Sequence, residues 1–242
     1  MHSHLNQSSR RSAVTRTLGV ISVLVMALGI AACGSSASPT ASSTASSSKA
    51  AGAASSGSVD CTYEASPRGA AKDVGLPPAQ QPATGAPTAS IALTGGTVEI
   101  ALDRETAPCT VGSFAFLSEA GYYNDTPCHR LTSSPTLSVL QCGDPSGTGG
   151  GGPGYSYADE TNPAMVYPAG TVAMANAGPD TNGSQFFLVY ADSTLPPSYT
   201  VFGTITEGLD VLTGIAANGT SGGGRDGAPA DPVTISTITI AD

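Results

Sequence analysis

From Ala89 to its end the chain is a succession of apolar segments of strand length, cut by Gly and Pro, with room for only two short helices. "ASIALT" and "TVEIAL" alternate in character on either side of Gly95 and Gly96, which predicts a hairpin. "CHRL" and "LSVLQC", joined by a polar loop containing Pro135, predict two more strands, and others are expected over 170–175, 185–190, 200–205 and 233–240. After Pro108, Val111, Phe114 and Leu117 recur at three-residue steps and Gly121 follows as a stop, the pattern of a short amphipathic helix; "LDVLTGIAANG" predicts the second. Strands that do not alternate with helical crossovers predict an all-β dominated fold, an antiparallel barrel whose ends the two helices plug. No internal repeat is visible.

The N-terminal third is built differently. Arg10, Arg11 and Arg16 precede the apolar run "LGVISVLVMALGIAAC", which is short for a spanning helix and fits a secretory signal over residues 1–32. The run ends in "IAAC", which resembles the lipobox of bacterial lipoproteins, so Cys33 is the expected lipidation site and mature N-terminus. Its acyl chains would hold the protein on the outer face of the cytoplasmic membrane. Residues 33–58 are nearly all Ser, Ala, Thr and Gly and cannot bury enough apolar area to offset the entropy of folding, so they read as a tether. Residues 59–88 read as a Pro-rich extension containing Cys61, and residues 89–242 as one folded domain.

Charge and rare residues exclude much chemistry. Without its signal the chain has 6 basic against 18 acidic residues, which argues against nucleic acid as a partner. The domain contains one histidine, His129, so a multi-histidine metal site is impossible and a Ser-His-Asp arrangement could use no other base. Cys61, Cys109, Cys128 and Cys142 contain no CxxC pair and, in an exported protein, read as two disulfides in one of three connectivities. The run "GTGGGGPGYSY" from Gly147 to Tyr157 has glycines at dinucleotide-like spacing, but no long strand feeds it and no helix follows, so it reads as a loop beside a site.

The stretch "AMANAGPDTNGSQFF", Ala173 to Phe187, carries the most information. It opens as a strand, crosses a polar turn far longer than a plain turn needs, and returns through Gln185 to two phenylalanines. Together with "HRL", "LQCGD", "GTGG" before it and "YTVFG" after it, in that order, it resembles the cyclophilin family of peptidyl-prolyl isomerases over essentially all of residues 89–242. The resemblance implies a closed eight-stranded antiparallel barrel capped by two short helices, with a proline-peptide groove on its outer surface. By the same resemblance Arg130 would be the catalytic arginine. Gln141 and Asn176 would fix the peptide backbone, and Ala175 and Ala177 would let it lie close. Phe187, Val139 and Leu195 would line the proline pocket, and His129, Gly147, Gln185 and Tyr199 would complete the rim. It implies no cofactor and no metal.

The sequence also departs from the family pattern. "SVLQ" places Ser138 and Val139 where a phenylalanine and a methionine are usual, Thr194 stands where an aromatic residue is usual, and Cys142 where a glycine is. The loop after "HRL" is longer than usual, which would let Leu137 reach the place that Ser138 leaves empty. The thinner aromatic wall predicts weaker proline binding and weak cyclosporin binding. The expected partners are proline-containing exported polypeptides and, through Cys33, the membrane; a monomer is expected. The competing reading is a proline-peptide binding module with the same fold and little or no turnover.

Overall fold

The computed structural model describes residues 57–242. The signal over residues 1–32, Cys33 and all but the end of the tether over residues 33–58 lie outside the described residues. In chain order the elements are β1 (Ser58–Asp60), β2 (Glu64–Ala70), β3 (Gln80–Pro82), β4 (Thr88–Leu93), β5 (Gly96–Leu102), α1 (Pro108–Glu119), β6 (Thr126–Pro127), β7 (Arg130–Ser134) and β8 (Leu137–Cys142). They continue with β9 (Pro153–Ser156), β10 (Thr171–Met174), β11 (Phe186–Val189), β12 (Val201–Glu207), α2 (Leu209–Ala217), β13 (Asp226–Gly227) and β14 (Thr234–Ala241). No helix among the described residues is long and apolar enough to cross a membrane.

One curled antiparallel sheet holds the fold together, with strand order β13-β7-β8-β11-β10-β12-β5-β4-β14-β6. Its end strands β13 and β6 have two residues each, which leaves eight full strands between them. Only Cys128 and His129 separate β6 from β7, so the two ends of the ladder are joined through the chain. The eight-stranded antiparallel architecture is as expected, with one difference in its closure: no ladder of hydrogen bonds joins β6 to β13 among the described residues. The segment around Pro135, expected as a loop, is a two-residue turn, because Ser134 pairs directly with Leu137 and the extra residues lengthen the hairpin.

Alternation along the strands sorts side chains onto two faces. The inner face carries Ile91, Val98, Ile100, Leu131, Leu140, Phe186, Leu188 and Phe202, all fully buried in the main core. Helix α1 closes this core with Val111, Phe114 and Leu117, and the Phe114 ring lies 5.1 Å from that of Phe202 and 5.4 Å from that of Phe186. The first turn of α1 has Pro108 at its start and no side-chain cap of its own. Glu160 supplies one from 50 residues away, accepting the Cys109 and Thr110 amides at 2.9 and 2.8 Å, where a carboxylate is favoured by the helix dipole.

Residues 59–88 fold back onto this body. Strand β1 pairs with β3, and β2 pairs with β9 inside the former glycine run. A disulfide joins Cys61 to Cys109 on α1, the Tyr63 hydroxyl donates to the Cys109 carbonyl at 2.8 Å, and the Tyr63 ring meets those of Tyr155 and Tyr157 edge-on at 5.5 Å. The second disulfide joins Cys128 to Cys142, so the four cysteines take one of the three possible pairings.

Candidate active site

The register of four neighbouring strands builds the site. Arg130 on β7 stands opposite Gln141 on β8, Gln141 opposite Phe187 on β11, and Phe187 opposite Ala173 on β10. One row on the outer face of the sheet therefore runs from a cation through an amide to an aromatic ring and a small residue. The next row on that face contains Val139 opposite Val189. These residues explain why β10 and β11 are buried at every position: their inward side chains join the main core, while Ala173, Phe187 and Val189 join a second, outer cluster with Val139 and Tyr167.

Around that cluster stand Leu137, Met165, Ala175, Leu195 and Tyr199, all partly buried. The Phe187 ring meets Tyr199 edge-on at 5.6 Å and lies 6.4 Å from Tyr167. Leu137 shares its face with Val139 and Gln141 by strand alternation, so it packs against the pocket while Ser138 does not. Tyr167 and Met165 come from a long polar loop and were not expected from the sequence. The Tyr167 hydroxyl donates to the Tyr199 carbonyl and accepts the Tyr199 amide, both at 3.0 Å, which fixes that wall of the pocket. Its only signal is an aromatic residue inside the polar stretch "ADETNPAMVYP".

Arg130 is held on two sides. Its Nε and Nη2 donate to Asp226 on β13 at 2.8 and 2.7 Å, and its Nη1 donates to Gln141 Oε1 at 3.2 Å. A guanidinium has five N–H groups, so two remain for a ligand. The side chain is 39% exposed. Its hydrogen bonds with Asp226 raise the arginine's pKa and, from the other side, lower that of Asp226.

Gln141 passes the network on, its Nε2 donating to Gln185 Oε1 at 2.9 Å. Gln185 Nε2 then donates to the carbonyls of Gly149 and Gly151, both at 2.9 Å. Those glycines belong to a loop ordered by Asp144, a fully buried carboxylate. It accepts the amides of Ser146, Gly149 and Gly151 at 2.8, 2.8 and 3.0 Å, and the Ser146 hydroxyl at 2.7 Å. Burial alone would raise the Asp144 pKa, but these hydrogen bonds outweigh it and hold the acid below its ordinary range.

The ledge beside the pocket is made by Ala175, Asn176 and Ala177. Asn176 Nδ2 donates to the Ser198 carbonyl at 2.8 Å, which ties the ledge to the loop that carries Leu195 and Tyr199. No hydrogen bond within the described residues engages the main-chain N–H or C=O of Asn176. His129 and Gly147 are placed differently from the rest. The His129 ring lies under the glycine loop, where a Cβ on Gly149 would come within 3.1 Å of it, and burial lowers its pKa. Gly147 lies against Pro127. Neither lines the cavity next to Gln141, and neither do Arg130, Val139, Phe187, Leu195 and Tyr199, which belong to the row and outer cluster beside it. No group of three His, Cys, Asp or Glu side chains able to hold a metal occurs among the described residues.

A curled antiparallel sheet here carries an arginine, a glutamine and an apolar pocket in one outer row, and comparison with known proteins gives the family to which such a fold belongs. The family described as cyclophilin type peptidyl-prolyl cis-trans isomerase/CLD matches residues 88–240, and the chain belongs to that family. It is 48% identical over 196 residues to "Probable peptidyl-prolyl cis-trans isomerase B" of Mycobacterium tuberculosis, covering 75% of this chain and 64% of that protein. It is 36% identical to "Peptidyl-prolyl cis-trans isomerase A" of the same organism, over 64% of this chain and 92% of that one. The crystal structure of a cyclophilin type peptidyl-prolyl cis-trans isomerase from Cryptosporidium parvum is 30% identical, with a TM-score of 0.58 over 65% of this chain and 99% of that one.

Proposed function

We propose that this chain isomerises X-Pro peptide bonds of exported polypeptides while held by a lipid at Cys33 on the outer face of the cytoplasmic membrane. The observation that carries the enzymatic part is the single row Arg130, Gln141, Phe187. A solved structure of the Cryptosporidium relative in the presence of the dipeptide Ala-Pro supports the substrate class.

Rotation about a peptide bond faces a barrier of about 18 to 20 kcal/mol because the nitrogen lone pair is delocalised into the carbonyl. Both isomers are populated only for X-Pro bonds, which makes them the sensible substrate. In the twisted transition state the lone pair is localised on the prolyl nitrogen. With the proline ring among Phe187, Val139, Leu195 and Tyr199, an N–H of Arg130 binds that twisted form better than the planar one. No nucleophile, proton transfer or metal enters the step. One charge-assisted hydrogen bond contributes about 1.5 to 3 kcal/mol, or roughly ten- to a hundredfold in rate. The rest comes from holding the ring while the preceding carbonyl swings, and from excluding water beside the guanidinium. Gln141 and the free main chain of Asn176 hold the backbone, and the β-carbons of Ala175 and Ala177 let it approach.

The second reading, a binding module with little turnover, is favoured by one observation: three of the five donors of Arg130 are already engaged. The two separate in isomerisation of an X-Pro peptide by the full chain compared with Arg130→Ala. Turnover at least tenfold lower in the variant, with a smaller loss of peptide affinity, is the expected result. Binding without turnover by the unaltered protein would establish the module instead. Exposed Thr194 leaves the outer wall of the pocket without an aromatic ring, so cyclosporin binding is weak in this reading. The protein acts as a monomer.

A further inference from the structure

The extension over residues 59–88 does more than anchor itself. Strand β2 pairs with β9 at both ends, Glu64 and Ala65 with Ser156 and Tyr155, and Ala70 with Pro153, but the register breaks between Ala65 and Ala70. Ser66 to Gly69 therefore leave the ladder as a strap. The strap is seated closely: Gly154 has φ +87°, and a Cβ there would come within 2.9 Å of Ala70 Cβ. The Ala71 amide donates to the Gly152 carbonyl at 2.8 Å.

Beneath the strap lies a cavity of about 830 Å³, continuous with the site. Its other wall is the ledge Ala175 to Ala177 with Gln141 and Gln185, and its floor is the glycine loop. Arg68 is the one charged side chain that lines it. Arg68 has no carboxylate partner among the described residues, whose ion pairs are Arg104 with Asp242 and Arg130 with Asp226. Asp144, the one buried acid among the described residues, has its carboxylate occupied by the loop it orders.

Geometry fixes which part of a substrate reaches this cavity. The prolyl nitrogen must face Arg130, and it is bonded to the carbonyl of X, so X lies on the Gln141 side of the ring. The chain before X then continues past Gln141 and the ledge, into the space under the strap. We infer that the strap Ser66 to Gly69 forms a specificity subsite for the residues just before X-Pro, and that Arg68 selects acidic side chains there. This deepens the isomerase reading and rests on it for the position of the proline.

The test uses the full chain in detergent and blocked peptides of the form Z-Ala-Pro-Phe, with Z as Glu, Gln or Lys, and also Z-Ala-Ala-Pro-Phe. The unaltered protein should favour Glu over Lys by about fivefold in at least one series, as expected for attraction to one exposed cation and repulsion from it. The preference should shrink in 0.5 M salt. Arg68→Ala should reduce it to under twofold and Arg68→Glu should reverse it, while the Gln peptides change by less than twofold. Equal rates for Glu and Lys in the unaltered protein, or a preference that survives Arg68→Ala, would overturn the inference. So would an equal change for all three peptides in Arg68→Ala, which would make the strap a lid rather than a selector. If no peptide is turned over, Kd values for the same set decide: a Glu preference lost in Arg68→Ala sustains the subsite while the isomerase reading fails.

Discussion

Asp226 grips Arg130 from a strand 96 residues away, accepting Nε at 2.8 Å and Nη2 at 2.7 Å, so the guanidinium is oriented by a bidentate carboxylate and not by packing alone. The carboxylate has two opposite effects. It fixes the plane of the fork, and it weakens the positive field that a prolyl nitrogen would meet in the proposed reaction.

Orientation should win, because a misdirected donor loses most of its hydrogen bond whereas the partner only screens the charge. Asp226→Asn should lower kcat/KM about three- to tenfold, less than Arg130→Ala. Arg130→Lys should behave nearly like the alanine variant, since a lysine cannot engage Asp226 by two parallel bonds and Gln141 as well. Peptide isomerisation rates check all three; an Asp226→Asn protein faster than the unaltered one would show that screening dominates.

The same pair sets a pH dependence. The hydrogen bonds from Arg130 hold the Asp226 pKa below its ordinary value, so the pair persists throughout the neutral range and is lost only as pH falls through that lowered value. Turnover should be flat from about pH 8 down to about pH 5, the upper edge of ordinary carboxylate titration. A kcat/KM profile with a half-maximum near neutrality would contradict this and point to His129 instead.

Asp144 makes a prediction about stability. Its folded-state pKa is depressed, so its contribution is present above the ordinary aspartate range and is lost as pH falls through the lowered value. Asp144→Asn would set an amide N–H against the loop amides, costing about 2 to 3 kcal/mol at pH 7 for the lost charge-assisted bonds. Urea unfolding should show that cost at pH 7 and a smaller one near pH 3. The Gly149 and Gly151 carbonyls that receive Gln185 are placed by the same loop, so kcat/KM should fall as well.

The parts of the molecule that were legible in the sequence are those set by local pattern. Val111, Phe114 and Leu117 marked α1, and the alternation in "TVEIAL" marked β5, because period and burial are written in neighbouring residues. The outer row was legible only through family resemblance, since Gln141 and Phe187 lie 46 positions apart and nothing local says that they are opposite. What stayed hidden depends on long-range pairing. Asp226 behind Arg130, Glu160 over α1 and Tyr167 beside Tyr199 each act across a large sequence separation, and Arg68 comes to line the same cavity as the ledge across another. The Asp of "LQCGD" was visible as a letter of the motif, but its role needed the five-residue return of the chain to Gly149.

The disulfide between Cys128 and Cys142 straddles the Arg130–Gln141 pair, one cysteine two residues before the arginine and the other next to the glutamine. Both are buried. Closing a loop of about 15 residues is worth about 3 kcal/mol, and one near 50 residues, as between Cys61 and Cys109, about 4 kcal/mol in the chain-entropy account. The double variant Cys128→Ser, Cys142→Ser should therefore lose less stability than Cys61→Ser, Cys109→Ser but more turnover.

Thr194 offers a gain-of-function test of the pocket. It is exposed, its amide donates to the Thr136 carbonyl at 2.9 Å, and it precedes Leu195, which packs against the outer cluster. A tryptophan there needs no main-chain change and would add an aromatic wall with an indole N–H facing the groove. Aromatic contacts and the added donor are each worth about 1 kcal/mol, so Thr194→Trp should tighten cyclosporin binding by roughly ten- to thirtyfold. Unfolding midpoints should be unchanged, because the site is on the surface. Cyclosporin titration followed by indole fluorescence measures the first, and the signal is clean because the natural chain contains no tryptophan. Unchanged affinity would mean that the pocket rim at Leu195 does not face the ligand, and would displace the proline site from the row that Arg130 begins.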